Sequence, residues 1–295
     1  MPLSFRIGAR TLWSLDRRLV AIALPLADVL ARRAPALPPL GGADGWFVGS
    51  LPEGAALNGA DGMLRFERQR YARYFIDLAS GFDTWWDGLS GNTRSGLRRK
   101  AKKLAEAEGG ALDVRRYRTP DELETFHALA RRVSATTYQE RLLDAGLPDD
   151  PPFRAEMLAA AAAGRVRAWL LCVGGAPVAY LYCPMAGGTV IYEYLGHDPR
   201  FAALSPGSVL QVEALRDLFA DPACTHFDFT EGEGQHKRGL ASGSVACVDV
   251  LLLRPTLANR ALLGGLRAFD GAVAAAKRAV TALGLEGMAR RVRRG

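Results

Sequence analysis

Apolar residues along this chain switch between two rhythms, and the switches mark its elements. Arg165–Val173 and Ala176–Met185 are strand-like apolar runs joined by Gly174-Gly175, a tight-hairpin signal. Gly187-Gly188 turns the chain into a third strand, Val190–Leu195. Residues 199–208, ending in Ser-Pro-Gly-Ser, read as a loop, and Val209–Phe219 as an amphipathic helix. A short strand, His226–Phe229, leads into a polar turn and a last strand, Val245–Leu253. Upstream, strands are expected at Gly45–Gly49, Arg73–Leu78 and Ala111–Tyr117, and helices at Phe82–Leu89, Thr93–Glu108, Pro120–Thr136 and Pro152–Ala163. Thr119-Pro-Asp-Glu supplies a cap, a proline in the first helical position and two first-turn acids for the third of these helices. Strands bracketing a helix, preceded by further helices, predict an α/β fold of the mixed α+β kind.

At the C-terminal end, Leu262, Leu266, Phe269, Val273, Ala276, Val280 and Leu283 recur at alternating spacings of four and three. That is one apolar stripe on one helix, expected to dock on the body. Three regions follow: an N-terminal region 1–90, a central domain 91–255, and an amphipathic helix with a basic tail, 256–295. Apolar residues make up 49% of the 295 and charged residues 23%, the balance of a globular chain.

The net charge of +7 changes meaning once divided along the chain. Residues 1–33 hold six Arg and two Asp, and residues 256–295 hold eight Lys or Arg and two acids. Between them lie 24 basic and 27 acidic residues. An acidic middle argues against a nucleic-acid groove, whereas basic ends suit a weak attraction to an acidic membrane surface. Leu19–Ala27 could pass for the apolar part of a signal peptide, but Pro25 interrupts it and Asp16 sits in the leader, so a core element is expected. No uncharged apolar run approaches the length of a membrane span. Cys172, Cys183, Cys224 and Cys247 form no C-x-x-C and lie in or beside apolar runs, as buried reduced thiols of a cytoplasmic protein would. With four His and no metal-ligand spacing, no metal is expected.

Candidate chemistry gathers between Val190 and Gly239. A helix start between two strands aims free N–H groups and the positive end of a dipole into a crevice. Pro206 suits the first helical turn, Gly207 would let backbone approach a bulky anion, and Ser208 with the N–H groups of Val209 and Leu210 could meet a pyrophosphate. Ser205-Pro-Gly-Ser208 equally describes an ordinary Ser-capped helix. Strict alternation puts Tyr192 and Tyr194 on one face of their strand and Ile191, Glu193 and Leu195 on the other. Glu193 among apolar neighbours would have a raised pKa and suit a general base, or else face solvent at a sheet edge. Asp228, Glu231, Glu233, His236 and Lys237 crowd the next strand end. Lys237 could hold an oxyanion or phosphate, while Glu233 and His236 read as parts of a polar turn.

The order of three strands, loop, helix and strand resembles the acyl-CoA half of a GNAT-type N-acyltransferase. Two segments resemble the bacterial branch of FemAB-like peptide ligases and acyltransferases linked to exopolysaccharide or cellulose synthesis. They are the basic helix Thr93-Arg-Ser-Gly-Leu-Arg-Arg-Lys-Ala-Lys-Lys-Leu and the run Asp228-Phe-Thr-Glu-Gly-Glu-Gly-Gln-His-Lys-Arg-Gly. The resemblance spans roughly residues 92–250. It implies acetyl-CoA or a longer acyl-CoA as co-substrate, held at Ser205, Gly207, Ser208 and Val209, with N–H groups near Leu195 and Gly196 polarising the thioester. It also implies a small-molecule amine acceptor such as an amino sugar or cell-envelope precursor, Asp228 and Lys237 as site residues, and a reduced second copy of the fold in the first ninety residues. The sequence departs from the family's Arg/Gln-x-x-Gly-x-Gly loop, carrying Ala202, Ser205 and Gly207, and has His236 where the branch has Tyr. An acyl carrier protein or aminoacyl-tRNA donor, and a non-catalytic scaffold, therefore stay open.

Overall fold

The computed structural model describes residues 2–7, 10–137, 146–232 and 234–282. The chain begins with β1 (Pro2–Ile7), β2 (Arg10–Asp16), β3 (Leu19–Ala23), α1 (Leu26–Leu30), β4 (Gly45–Pro52) and β5 (Leu64–Asp77). Next come α2 (Phe82–Gly88), α3 (Gly91–Ala107), β6 (Asp113–Tyr117), α4 (Pro120–Ser134) and α5 (Pro151–Ala162). Then follow β7 (Val166–Val173), β8 (Ala176–Ala186), β9 (Thr189–Ile191) and β10 (Tyr194–His197). A 3₁₀ helix (Pro199–Leu204), α6 (Pro206–Phe219), β11 (His226–Asp228), α7 (Gln235–Leu240), β12 (Gly243–Leu253) and α8 (Leu257–Ala282) complete it. The mixed α/β class expected from the pattern is the one observed.

The chain groups into two compact units. One gathers 1–24, 28–70 and 247–295, and the other 25–27 and 71–246. Of the four places where the chain passes between them, one falls inside α1, one inside β5 and one inside β12, so no linker composition announces these three.

In the first unit β3 runs parallel to β4, and β4 antiparallel to β12 through Leu253↔Gly45 and Leu251↔Phe47. Leu19–Ala27, expected as one core element, supplies β3 and the start of α1. Gly45 is obligatory in this ladder, since a Cβ there would fall 2.0 Å from the Leu252 carbonyl oxygen. Buried Asp249 accepts the Ser50 N–H at 2.8 Å and Gln69 Nε2 at 2.7 Å, which satisfies both carboxylate oxygens. Helix α8 docks here, closing Leu263 and Leu266 over Phe66, Leu251 and Leu253. Leu262 and Phe269 of the expected stripe are partly buried beside them. Leu283 and the last residues of the basic tail, 283–295, lie outside the described residues.

The second unit is a layered α/β domain. β11 pairs antiparallel with the end of β5 and parallel with β9, and β9 continues through β8 and β7 to β6. Gly174 and Gly175, at φ +61° and +72°, form the expected β7–β8 hairpin. Both faces are covered, so β7 is apolar at nearly every position. Trp169 and Leu171 join a core with α2, α3 and α6, while Ala168 and Leu170 join one with α4 and α5. Thr119 caps its helix as expected, and Glu122 completes the cap as a capping box. All four cysteines are buried, and burial pushes the Cys172 and Cys224 thiols up to about 11. No helix among the described residues is long and apolar enough to cross a membrane.

Docking of α8 generates a direct test. Leu266→Ala should lower stability by about 2–5 kcal/mol in urea denaturation, the range for a fully buried leucine. A loss below about 0.5 kcal/mol, as at surface positions, would detach the helix from the core.

Candidate active site

The site begins with one extra residue. β8 pairs with β9 through Met185↔Val190 and with β10 through Tyr182↔Tyr194, so three steps along β8 match four along its neighbour. The strand expected over Val190–Leu195 is therefore broken by a bulge at Tyr192-Glu193. The bulge reverses the alternation read from the sequence. Tyr192 and Leu195 pack on the α6 side of the sheet, and Tyr194 on the α4–α5 side. Glu193 goes with Tyr194, lining a cavity of about 210 Å³ with Phe153, Glu156 and Tyr182. The structure thus does not bring Glu193 together with Leu195 or the start of α6. Partial burial, and then the nearby Glu156 carboxylate, raise the pKa of Glu193, although the residue is exposed to solvent.

On the other face the bulge opens a cleft. The Tyr192 N–H donates to the Asp228 carbonyl at 2.9 Å, tying the bulge to β11. Beyond that point β10 pairs with β8 alone among the described residues, so one edge of β10 is left open. A cleft of about 550 Å³ lies along it, bounded by Tyr192, Leu195 and His197, by Ser205, Gly207, Ser208 and Gln211, and by Thr137 and His236. Gly196 is buried in β10, where a Cβ would fall 2.4 Å from the Tyr180 ring on β8. Its lack of a side chain makes room for that ring.

The start of α6 differs from expectation. Residues 199–204 form a 3₁₀ helix capped by Asp198, whose carboxylate accepts the Arg200 N–H at 2.9 Å; the paired Arg200 guanidinium holds the Asp198 pKa low. Ser205 then takes a left-handed conformation, φ +53°, and makes no side-chain cap. Its carbonyl instead accepts the N–H groups of Ser208 at 3.1 Å and Val209 at 3.3 Å. The Val209 amide expected at a pyrophosphate is thus used inside the helix, and the Val209 side chain is buried in the core. Gly207 also has a packing role beside the one expected. A Cβ there would lie 3.1 Å from Leu195 Cδ2, so the missing side chain lets helix and strand approach each other.

Asp228 and Lys237 are near the cleft but already partnered. Asp228 is buried and accepts Arg73 Nε at 3.2 Å, Arg73 Nη2 at 2.5 Å and the Thr230 N–H at 2.8 Å. Lys237 Nζ donates to the Phe229 carbonyl at 2.7 Å and the Glu231 carbonyl at 2.6 Å, and burial lowers its pKa. Both side chains hold the turn after β11. His236, one residue earlier on α7, opens onto the cleft, and burial followed by the Lys237 charge lowers its pKa, which favours the neutral imidazole. Glu233 lies outside the described residues.

Sequence reasoning missed Gln211 and Arg73. Gln211 is a polar side chain on the buried stripe of α6, among Val209, Leu210, Val212 and Leu215, and its Nε2 has no hydrogen-bond partner among the described residues. A buried polar residue inside an apolar helical stripe was the available signal. Arg73 carried none, because its partner lies 155 residues away.

Two measurements test this arrangement. Arg73→Ala leaves the Asp228 carboxylate buried and unpaired, and should lower unfolding free energy by about 3–5 kcal/mol in urea. The Glu193 test concerns pH. A carboxyl whose folded pKa is raised binds more protons when folded, so its contribution to stability falls as pH climbs through that range. Glu193→Gln removes this dependence, and the melting temperature of the variant relative to the unaltered protein should rise from pH 4 to pH 7. A flat difference would show an unperturbed, solvated glutamate.

Comparison with solved structures finds the C-terminal domain (DUF2156) of a putative lysylphosphatidylglycerol synthetase from Agrobacterium fabrum, at a TM-score of 0.52 and 12% identity over 75% of this chain and 71% of that one. L-PGS from Bacillus licheniformis follows at 0.49 and 16%, over 77% and 73%. FemX gives 0.48 and 12%, over 72% and 73%. The first of these shows a shared fold; none of them assigns a substrate. No curated protein matches the sequence. The pattern of the Acetyltransferase (GNAT) domain matches residues 91–238, half of the chain, and it covers the bulged strand, the helix start and the cleft they enclose. The chain belongs to the GNAT acetyltransferase domain family.

Proposed function

We propose that this protein moves an acyl group from acyl-CoA, acetyl-CoA or a longer homologue, directly to an amine. The observation that carries the reading is the cleft along the open edge of β10, which a GNAT-family chain has built with a one-residue bulge. An extended donor arm can add to such an edge through backbone hydrogen bonds, with Leu195, Pro199 and Ala202 as apolar wall. Its phosphates would sit by Ser205, Gly207 and Ser208 at the positive end of α6. The amine nitrogen attacks the thioester carbonyl, the tetrahedral intermediate collapses, and the thiolate leaves. N–H groups near Leu195 and Gly196 polarise that carbonyl in this reading. His236, neutral and facing the cleft, is placed to take the proton that the amine loses. Asp228 and Lys237 serve by fixing the turn that carries it.

The acceptor in this reading is an amino sugar or related cell-envelope precursor, and the basic C-terminal tail draws the enzyme weakly to an acidic membrane surface. The N-terminal region acts as a reduced second copy of the fold. A second donor, aminoacyl-tRNA, draws support from the exposed Arg98, Arg99, Lys102 and Lys103 of α3.

Calorimetric titration separates these. Acetyl-CoA or octanoyl-CoA should bind saturably, and Ser208→Glu should weaken that binding at least about tenfold, because like charges brought together at an interface cost several kcal/mol. Binding unchanged in a folded Ser208→Glu protein would move the phosphates elsewhere. Binding of aminoacyl-tRNA with no response to either acyl-CoA would replace the donor, and binding of neither would leave a scaffold.

A further inference from the structure

A second cleft, of about 340 Å³, adjoins the first. Asn92, Thr93 and Lys100 of α3 and Gln235 of α7 line it, and it shares Ser208, Gln211 and His236 with the cleft along β10. These three residues are where the two clefts meet. Of them, Gln211 is the buried one, at 4% exposure, and its Nε2 has no acceptor among the described residues. Leaving an amide donor buried and unpaired is costly, and a leucine would fit the apolar stripe around it without that cost. Gln211 is therefore poorly explained as packing and well explained as a donor that a ligand completes. The required complement is a hydrogen-bond acceptor. The acyl donor of the reading above carries acceptor oxygens on its thioester and on the amides of its arm.

We propose that Gln211 is a ligand-binding residue whose Nε2 donates to a carbonyl oxygen of the acyl donor at the junction of the two clefts. This rests on the acyl-CoA reading. The placement has a chemical consequence. An amine entering by the α3-side cleft, past Lys100 and Thr93, meets a carbonyl held from the β10 side, with His236 beside both. Gln211 then fixes where along the donor the two reactants come together.

The test uses the full chain, with CoA and acetyl-CoA as the two probes, in the unaltered protein and in Gln211→Leu. Acetyl-CoA affinity should fall about 2- to 10-fold, the range for one neutral hydrogen bond. The melting temperature without ligand should hold or rise, because an unpaired buried amide has been removed. A loss confined to acetyl-CoA assigns the bond to the thioester carbonyl, and an equal loss for CoA assigns it to an amide of the arm. Equal affinities of variant and unaltered protein for both probes would overturn the proposal while leaving the donor reading intact. Failure of the unaltered protein to bind either probe would remove the donor reading and this proposal with it. Gln211→Met, which keeps an unbranched stem, guards against a local packing fault. A lower melting temperature in both variants would make Gln211 structural and overturn its role as a ligand donor.

Discussion

The arrangement of the GNAT unit depends on one residue too many in a strand. Were Val190–Leu195 regular, β9 and β10 would run on together against β11, and the sheet would offer no opening there. The slip between Met185↔Val190 and Tyr182↔Tyr194 ends that pairing at Tyr192. It frees one edge of β10 and turns Leu195 toward α6. Backbone polar groups on an open edge must find partners in water or in a ligand, so the same defect that interrupts the sheet creates a binding surface.

Keeping that opening in shape falls to interactions beyond the cleft wall. Arg73 and Asp228 join β5 to β11 as a buried two-point ion pair, and the second Asp228 contact, to the Thr230 N–H, holds Thr230 at φ +59°. Lys237 reaches back from α7 to two carbonyls of the same turn. Helix α7 is short, and these bonds determine where His236 faces. On the opposite side, Gly207 lets α6 sit close to Leu195, and Gly196 lets Tyr180 lie across β10. The cleft is thus bounded by elements held through backbone approach and buried charge, which is the rigidity that positioning two reactants needs.

Electrostatics divides the roles of the ionisable groups. Asp228 is committed to Arg73, so it serves structure. Lys237 is desolvated and bonded to carbonyls. Glu193 is raised in pKa but sits in a separate cavity on the other face of the sheet. His236 combines access to the cleft with a neutral ring. Glu193, Lys237 and His236 all have shifted pKa values, and of these three geometry brings His236 into the cleft wall with the start of α6.

The sequence by itself determined the class of fold, most elements and the family resemblance. Local signals sufficed: Gly174-Gly175 for the hairpin, Thr119 for the helix cap, and the three- and four-residue spacing of apolar residues for α8. Each depends on neighbours within a few positions, and that is the range over which pattern and propensity act. The tertiary structure decided the rest. A bulge leaves no mark in a six-residue apolar strand, since its cause lies in pairing with β8 and β11, and one added residue inverts every later side chain. The Asp228 motif was legible but its occupation by Arg73 was not, because the two are brought together only when β5 and β11 pair. Gly207 was read as space for an anion, and its closeness to Leu195 was not legible, because that contact is set by how closely a helix packs on a strand.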